Sequence, residues 1–137
     1  MTTFDSLGLA EPLLRALNER EYTTPTDIQT GAIPIALRGQ DVIACAQTGS
    51  GKTAVFALPW LQRRIERGAG GRQPDALVLV PTRELAIQVA AAFQSYGQHV
   101  RFRVAAIYGG VGFQQQTDAL RRGVDVLVAT PGRLIDH

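Results

Sequence analysis

A chain of 137 residues has the length of one domain, and its 45% hydrophobic and 19% charged content is that of an ordinary globular protein. No apolar run is long enough to span a bilayer, and Met1-Thr2-Thr3-Phe4-Asp5 has no basic stretch leading into an apolar one. A membrane role and a secretory leader are therefore not expected, and a cytoplasmic location is. The net charge of +2 is too small to argue for nucleic acid by itself, and one cysteine, Cys45, cannot form an internal disulfide.

The first forty residues read as helical. Pro12 can open a short helix whose Leu13, Leu14 and Leu17 share an apolar face, and Thr24 followed by Pro25 looks like a second helix start. Pro34 should break or restart that second helix, and Gly39 should end it. Four short apolar runs follow, Asp41 to Ala46, Ala76 to Val80, Arg103 to Tyr108 and Asp125 to Ala129, mostly without polar alternation, as suits strands covered on both faces. Cys45 lies in the first of them and reads as a buried strand residue. Amphipathic segments, about Gly51 to Arg67, Arg83 to Tyr96 and Phe113 to Arg122, lie between the strands. This alternation predicts an α/β fold, a parallel sheet with helices on both faces and right-handed crossovers. Gly68-Ala69-Gly70-Gly71 reads as a flexible connection. His99 and His137 have no His or Cys partner at metal-ligand spacing.

Between the first expected strand and the helix after it stands Ala46-Gln47-Thr48-Gly49-Ser50-Gly51-Lys52-Thr53. This fits the phosphate-loop pattern G-x-x-x-x-G-K-[ST], with Ala46 in place of the first Gly. Backbone N–H groups from about Thr48 to Thr53 can converge on phosphate oxygens at the positive end of the following helix. Lys52 would then reach the outer phosphates, and the Thr53 hydroxyl would ligate Mg²⁺. Thirteen of the fourteen basic residues are Arg, so the only Lys in the chain stands where a compact ammonium suits a phosphate. The plainer alternative is an ordinary Gly-containing turn.

Three more segments narrow the reading. Tyr22-Thr23-Thr24-Pro25-Thr26-Asp27-Ile28-Gln29 places an amide, able to donate and accept at once, in the second helix. Pro81-Thr82-Arg83-Glu84-Leu85-Ala86 with Gln88 follows the second strand; Thr82 serves as a helix cap or a phosphate contact, and Leu85 and Val89 as core. Gly109-Gly110 follows the third strand and Thr130-Pro131-Gly132-Arg133 the fourth, pairing close backbone approach with a helix-start anion site. The phosphate loop and the last two of these segments follow strands, so they cluster at the carboxyl ends of the sheet, where such folds bind ligands.

Together these segments resemble the DEAD-box family of ATP-dependent RNA helicases, most of all its bacterial members, over nearly the whole chain and in the family's motif order. The resemblance implies an incomplete RecA-like P-loop domain over residues 1–137, with a helical adenine-recognition region at 1–40 and an α/β core at 41–137. It implies ATP and Mg²⁺ as cofactors and RNA, held by its backbone with little sequence preference, as partner. Phe4, Tyr22 and Gln29 would take the adenine, and Ala46, Gln47, Thr48, Gly49, Ser50, Gly51, Lys52 and Thr53 the phosphates. Lys52 and Thr53 would serve catalysis and Thr53 the metal. Pro81, Thr82, Arg83, Gly109, Gly110, Gln116, Thr130, Pro131, Gly132 and Arg133 would line the RNA. Glu21 stands where the family often has Gly, and Asp27 where it often has Pro. As a plain helix start, the same segment would leave Gln29 solvated.

The family's Asp-Glu-Ala-Asp motif, Ser-Ala-Thr motif and second lobe are not among these residues. The chain is therefore expected to be a fragment that binds nucleotide and RNA weakly without turnover, and to be marginally stable or to associate through an open sheet edge. A small nucleotide kinase would share the loop but not Pro-Thr-Arg-Glu-Leu-Ala or Thr-Pro-Gly-Arg. A short module that binds RNA or ATP with no catalytic task is the other alternative.

Overall fold

The computed structural model describes residues 3–42, 51–68, 75–109 and 113–131. They fall in two compact units, Met1–Gly68 with Ser95–Val100, and Ala69–Gln94 with Arg101–His137. Residues 43–46 of the first expected strand, including Cys45, and the connection after Gly68 lie outside the described residues, as does His137.

The first unit is helical. A 3-10 helix, Phe4–Leu7, leads into α1 (Glu11–Glu19). Pro12 stands in the first turn of α1, where a missing N–H costs no intrahelical bond. The buried stripe is Leu13, Ala16 and Leu17, with Leu14 half-buried beside it. Helix α2 (Asp27–Leu37) is capped by Thr26 and not by Thr24-Pro25. The reason is a reciprocal bond with the residue three positions on, Gln29, which satisfies two otherwise orphaned donors. Nor does Pro34 break α2, which runs three residues further before Gly39 closes it at φ +80°. Pro34 removes one late hydrogen bond, and the burial of Ala32 and Ile33, on a helix packed against α3, offsets that cost.

Helix α3 (Lys52–Arg67) starts from Gly51 at φ +86°, a conformation that only glycine adopts without strain. Its buried face is Ala54, Val55, Ala57, Leu58 and Leu61. Arg64 and Arg67 stand in its last turn, where cations suit the negative end of the helix.

The second unit holds a parallel sheet of β1 (Ala76–Leu79), β2 (Val104–Ile107) and β3 (Val126–Ala129) in the order β1-β3-β2. Helix α4 (Arg83–Tyr96) begins in the connection from β1 to β2, and α5 (Phe113–Arg122) joins β2 to β3. All four residues of central β3 are buried, as its unbroken apolar run requires. Strand β1 departs from that expectation: Leu77 and Leu79 are each 55% exposed, because β1 has a neighbour on one side only among the described residues. Leu85 departs too. At 39% exposed it stands one residue, and so about 100° of helical turn, away from the buried stripe Ala86, Val89 and Phe93. Ile107, Val124, Leu127 and Ala129 form a core against which Ala105 and Leu120 pack.

At the amino ends of β2 and β3, the fully buried Asp125 carboxylate accepts from the Arg103 backbone N–H at 2.7 Å and from Arg103 Nε at 3.3 Å. The Arg103 Nη1 donates to the Arg122 carbonyl. One side chain thus fastens two strand starts and the end of α5.

Candidate functional site

Gln29 organises the first unit. Its Oε1 accepts from the Thr26 N–H at 2.9 Å while its own N–H points to Thr26 Oγ1 at 3.4 Å, closing the cap of α2. Its Nε2 donates to the Gly51 carbonyl at 3.2 Å. The amide is 6% exposed and therefore not the solvated side chain of a plain helix start. An amide offers two N–H donors and two lone pairs, and the two of those bonds that use it leave Nε2 with one further donor and Oε1 with one further acceptor. A Cβ at position 51 would lie 3.1 Å from Gln29 Cδ, so Gly51 is needed both for its φ and for this close approach.

Beside this amide lies a cavity of about 200 Å³, walled by Phe4, Leu17, Tyr22 and Tyr96, with Thr24, Thr26, Gln29 and Gly51 as its polar lining. Tyr22 is 45% exposed and Arg20 lies over its ring at 5.7 Å. Phe4 is buried and its N–H donates to the Thr23 carbonyl. The structure thus brings together the three residues assigned to adenine, Phe4, Tyr22 and Gln29. It also adds Tyr96, which no motif pointed to. Burial pushes the Tyr96 hydroxyl above its ordinary range, and Tyr22 adds to that while Arg20 opposes it. Roughly 200 Å³ is below the 300 to 1,000 Å³ of sites that hold drug-sized ligands, which suits one ring system with the rest of a ligand outside.

A larger cavity of about 480 Å³ in the same unit runs along α3 between Lys52, Phe56, Trp60 and Arg63, with Asp41 at its edge. Its polar lining is Gln40, Asp41, Lys52 and Arg63, mostly charged, whereas the smaller cavity sets an amide held by Thr26 and Gly51 among aromatic rings, so the smaller cavity is the better base site. Of the phosphate loop, Gly51, Lys52 and Thr53 are described and Ala46, Gln47, Thr48, Gly49 and Ser50 lie outside. The first turn of α3 contains no acidic residue, and no side chain caps it. Its N–H groups, with the exposed Lys52 and the half-buried Thr53, fit an anion and its counter-cation. Among the described residues no cluster of His, Cys, Asp or Glu could hold a metal, and no helix is long and apolar enough to cross a membrane.

In the second unit, Leu79 and Ile107 both pair with Ala129, so the three strands end in register. The segments that follow therefore leave from one edge of the sheet: Pro81 to Arg83, Gly109, and Thr130 with Pro131. Adjacent strands are about 4.8 Å apart, which places the outer two of these exits roughly 10 Å from each other at the strand ends. Thr82 Oγ1 accepts from the Leu85 N–H at 3.2 Å, so the cap forms, and Arg83 is exposed with Glu84 3.9 Å from its Nε. Gly109 is exposed, and a Cβ there would meet nothing within 4 Å. Gln116 is buried, and its Nε2 donates to the Tyr108 carbonyl at 2.9 Å while its Oε1 has no partner among the described residues. It holds the backbone that leads into Gly109. Gly110, Gly132 and Arg133 lie outside the described residues.

A parallel sheet with α-helical connections and exposed polar segments along its carboxyl edge defines an open-sheet α/β protein. A sequence model of the DEAD/DEAH box helicase family matches residues 26–137, and the chain belongs to that family. It is 50% identical over 137 residues to the ATP-dependent RNA helicase DeaD of Escherichia coli (strain K12), covering 99% of this chain and 21% of that protein. It is 48% identical to the DEAD-box ATP-dependent RNA helicase 10 of Arabidopsis thaliana, covering 98% of this chain and 32% of that one. Among solved structures, one described as a hypothetical ATP-dependent RNA helicase from Sulfolobus tokodaii superposes with a TM-score of 0.83 at 38% identity. That match covers 93% of this chain and 36% of the other, and the fold is the RecA-like α/β type. The chain thus spans between a fifth and a third of the length of these two relatives.

Proposed function

We propose that these residues form the adenine-reading and phosphate-binding part, and some of the RNA-contacting part, of an ATP-driven RNA helicase. The observation that carries the reading is Gln29. One amide caps α2, ties it to Gly51 at the start of α3, and keeps one donor and one acceptor beside an aromatic cavity. Adenine presents an N7 acceptor next to an N6 donor, the complement of that pair. A base seated there sits beside Gly51, so its phosphates fall to the loop of which Gly51 is part.

Lys52 then holds the outer phosphates as a point charge, and the N–H groups of the first turn of α3 hold the oxygens. The Thr53 hydroxyl would hold Mg²⁺, which when bound neutralises charge at the transferring phosphoryl group. Thr82, Arg83, Gly109 and Thr130 supply an edge suited to sugar and phosphate, hence weak sequence preference and strong salt dependence. Gln116 acts behind that edge by holding Tyr108. Hydrolysis needs carboxylates to orient water and complete the metal shell, and the family's Asp-Glu-Ala-Asp motif is not among these 137 residues. These residues alone therefore bind without turnover. A cytoplasmic location fits this function.

The experiment is titration of a fluorescent ATP analogue into the wild-type chain and Lys52→Ala. At least a tenfold weaker affinity for the variant is expected. Equal affinities would show that the loop does not hold phosphate.

A further inference from the structure

The base cavity has one wall that no nucleotide motif supplies. Tyr96 is the last residue of α4 and lies 74 positions beyond Tyr22 in sequence, yet both rings line the same cavity as Phe4 and Gln29. It belongs to the first unit through the segment Ser95–Val100. That segment is fastened to α1: Glu19 Oε1 lies 2.9 Å from His99 Nε2, Glu19 Oε2 accepts from Gln98 Nε2, and Arg15 Nε steadies Glu19 at 3.4 Å. Two side chains of one short segment held by a single carboxylate fix the backbone two residues beyond Tyr96. A ring fixed in this way loses little freedom when a ligand packs on it, which makes it an effective contact.

We propose that Tyr96 is a base-binding residue of this site, its ring packing against the purine and closing the cavity on the side that Phe4 and Tyr22 leave open. The proposal rests on reading the cavity as the base pocket. The hydroxyl fits the role: a phenol is neutral near pH 7, and burial raises Tyr96 further from ionisation, so the wall carries no charge near the polyphosphate. Truncating an aromatic on which a base stacks costs enough to lower affinity about tenfold.

The test compares ADP with inorganic tripolyphosphate, which has no base, by calorimetric titration of the wild-type chain, Tyr96→Ala, Tyr96→Phe and Gln29→Glu. Expected is a loss of about tenfold for ADP in Tyr96→Ala, with tripolyphosphate affinity unchanged and Tyr96→Phe within about twofold of wild type. Loss of both ligands in Tyr96→Ala would mean a structural role and overturn the proposal, as would retention of both. A loss in Tyr96→Phe equal to that in Tyr96→Ala would also overturn it, since the ring would not be the contact. If Gln29→Glu loses ADP while Tyr96→Ala does not, the base pocket stands and Tyr96 is outside it. If neither variant loses ADP, or the wild type does not bind it, the base-pocket reading fails and this proposal with it.

Discussion

Replacing Gln29 by Glu separates the two structural duties of its amide. The carboxylate still accepts from the Thr26 N–H and still caps α2, now with a negative charge worth about 0.3–1 kcal/mol at a helix N-terminus. What it cannot do is donate to the Gly51 carbonyl. One hydrogen bond worth about 1 kcal/mol is lost, and leaving a part-buried carbonyl without its donor costs about 1–3 kcal/mol. Net of the helix-end gain, Gln29→Glu should destabilise the chain by about 1–3 kcal/mol. Gln29→Ala removes the capping acceptor as well, about 1 kcal/mol more, for roughly 2–4 kcal/mol in total. Urea unfolding at pH 8, read as midpoint shifts at constant slope, measures both. A Gln29→Glu variant as stable as wild type would refute the tie between α2 and α3, and a Gln29→Ala variant as stable as wild type would refute the capping assignment.

Four further outcomes follow from the same structure. Glu21 holds φ +61°, so Glu21→Gly should stabilise the chain by about 0.5–1 kcal/mol in the same unfolding assay. Arg103→Ala should cost more than Asp125→Asn, because it takes the Arg103 guanidinium away from a fully buried carboxylate that stays charged; about 3–5 kcal/mol against roughly half that is expected in denaturant melts. Tyr96 carries a pKa raised above 10.0 in the folded state, so the unfolded chain loses that proton first as pH rises. Its contribution to stability is therefore complete below about pH 10 and falls away above it, and Tyr96→Phe should remove that decline in a series of melts from pH 9 to 11.5. Binding of single-stranded RNA should weaken linearly in log–log plots against salt and shift little between unrelated sequences in fluorescence anisotropy.

Much of this was legible because the informative patterns are local. Gly51, Arg83, Tyr96, Phe113 and Arg122 stand within one residue of the observed helix ends, since caps and apolar periodicity act within a few residues. The errors arose where tertiary partners decide. The start of α2 is the exception, since the reciprocal bond that favours Thr26 over Thr24-Pro25 is a local one, to Gln29 three residues on. Pro34 stays helical on a helix packed against α3, a contact that no window around it contains. Leu77, Leu79 and Leu85 read as core in an apolar run, but position in the sheet and helix phase leave them exposed. The motifs single out Gln29 as a candidate base reader without its capping role or its bond to Gly51, which crosses 22 residues. Gln116 is singled out by the resemblance as a candidate site residue, but its burial behind Tyr108 depends on how α5 packs on β2. Glu21, where the resemblance leads one to expect Gly, holds a left-handed backbone at φ +61°.

The central claim is that Gln29 reads adenine, and base discrimination tests it most directly. Guanine presents an O6 acceptor where adenine presents the N6 donor, so it would oppose the free lone pair of Gln29 Oε1. Competition of ADP and GDP against a fluorescent nucleotide should show ADP bound at least tenfold more tightly by the wild-type chain, with the gap closing to less than about threefold in Gln29→Ala, which removes the acceptor. Equal binding of ADP and GDP by the wild type, or a preference that survives Gln29→Ala unchanged, would contradict the account.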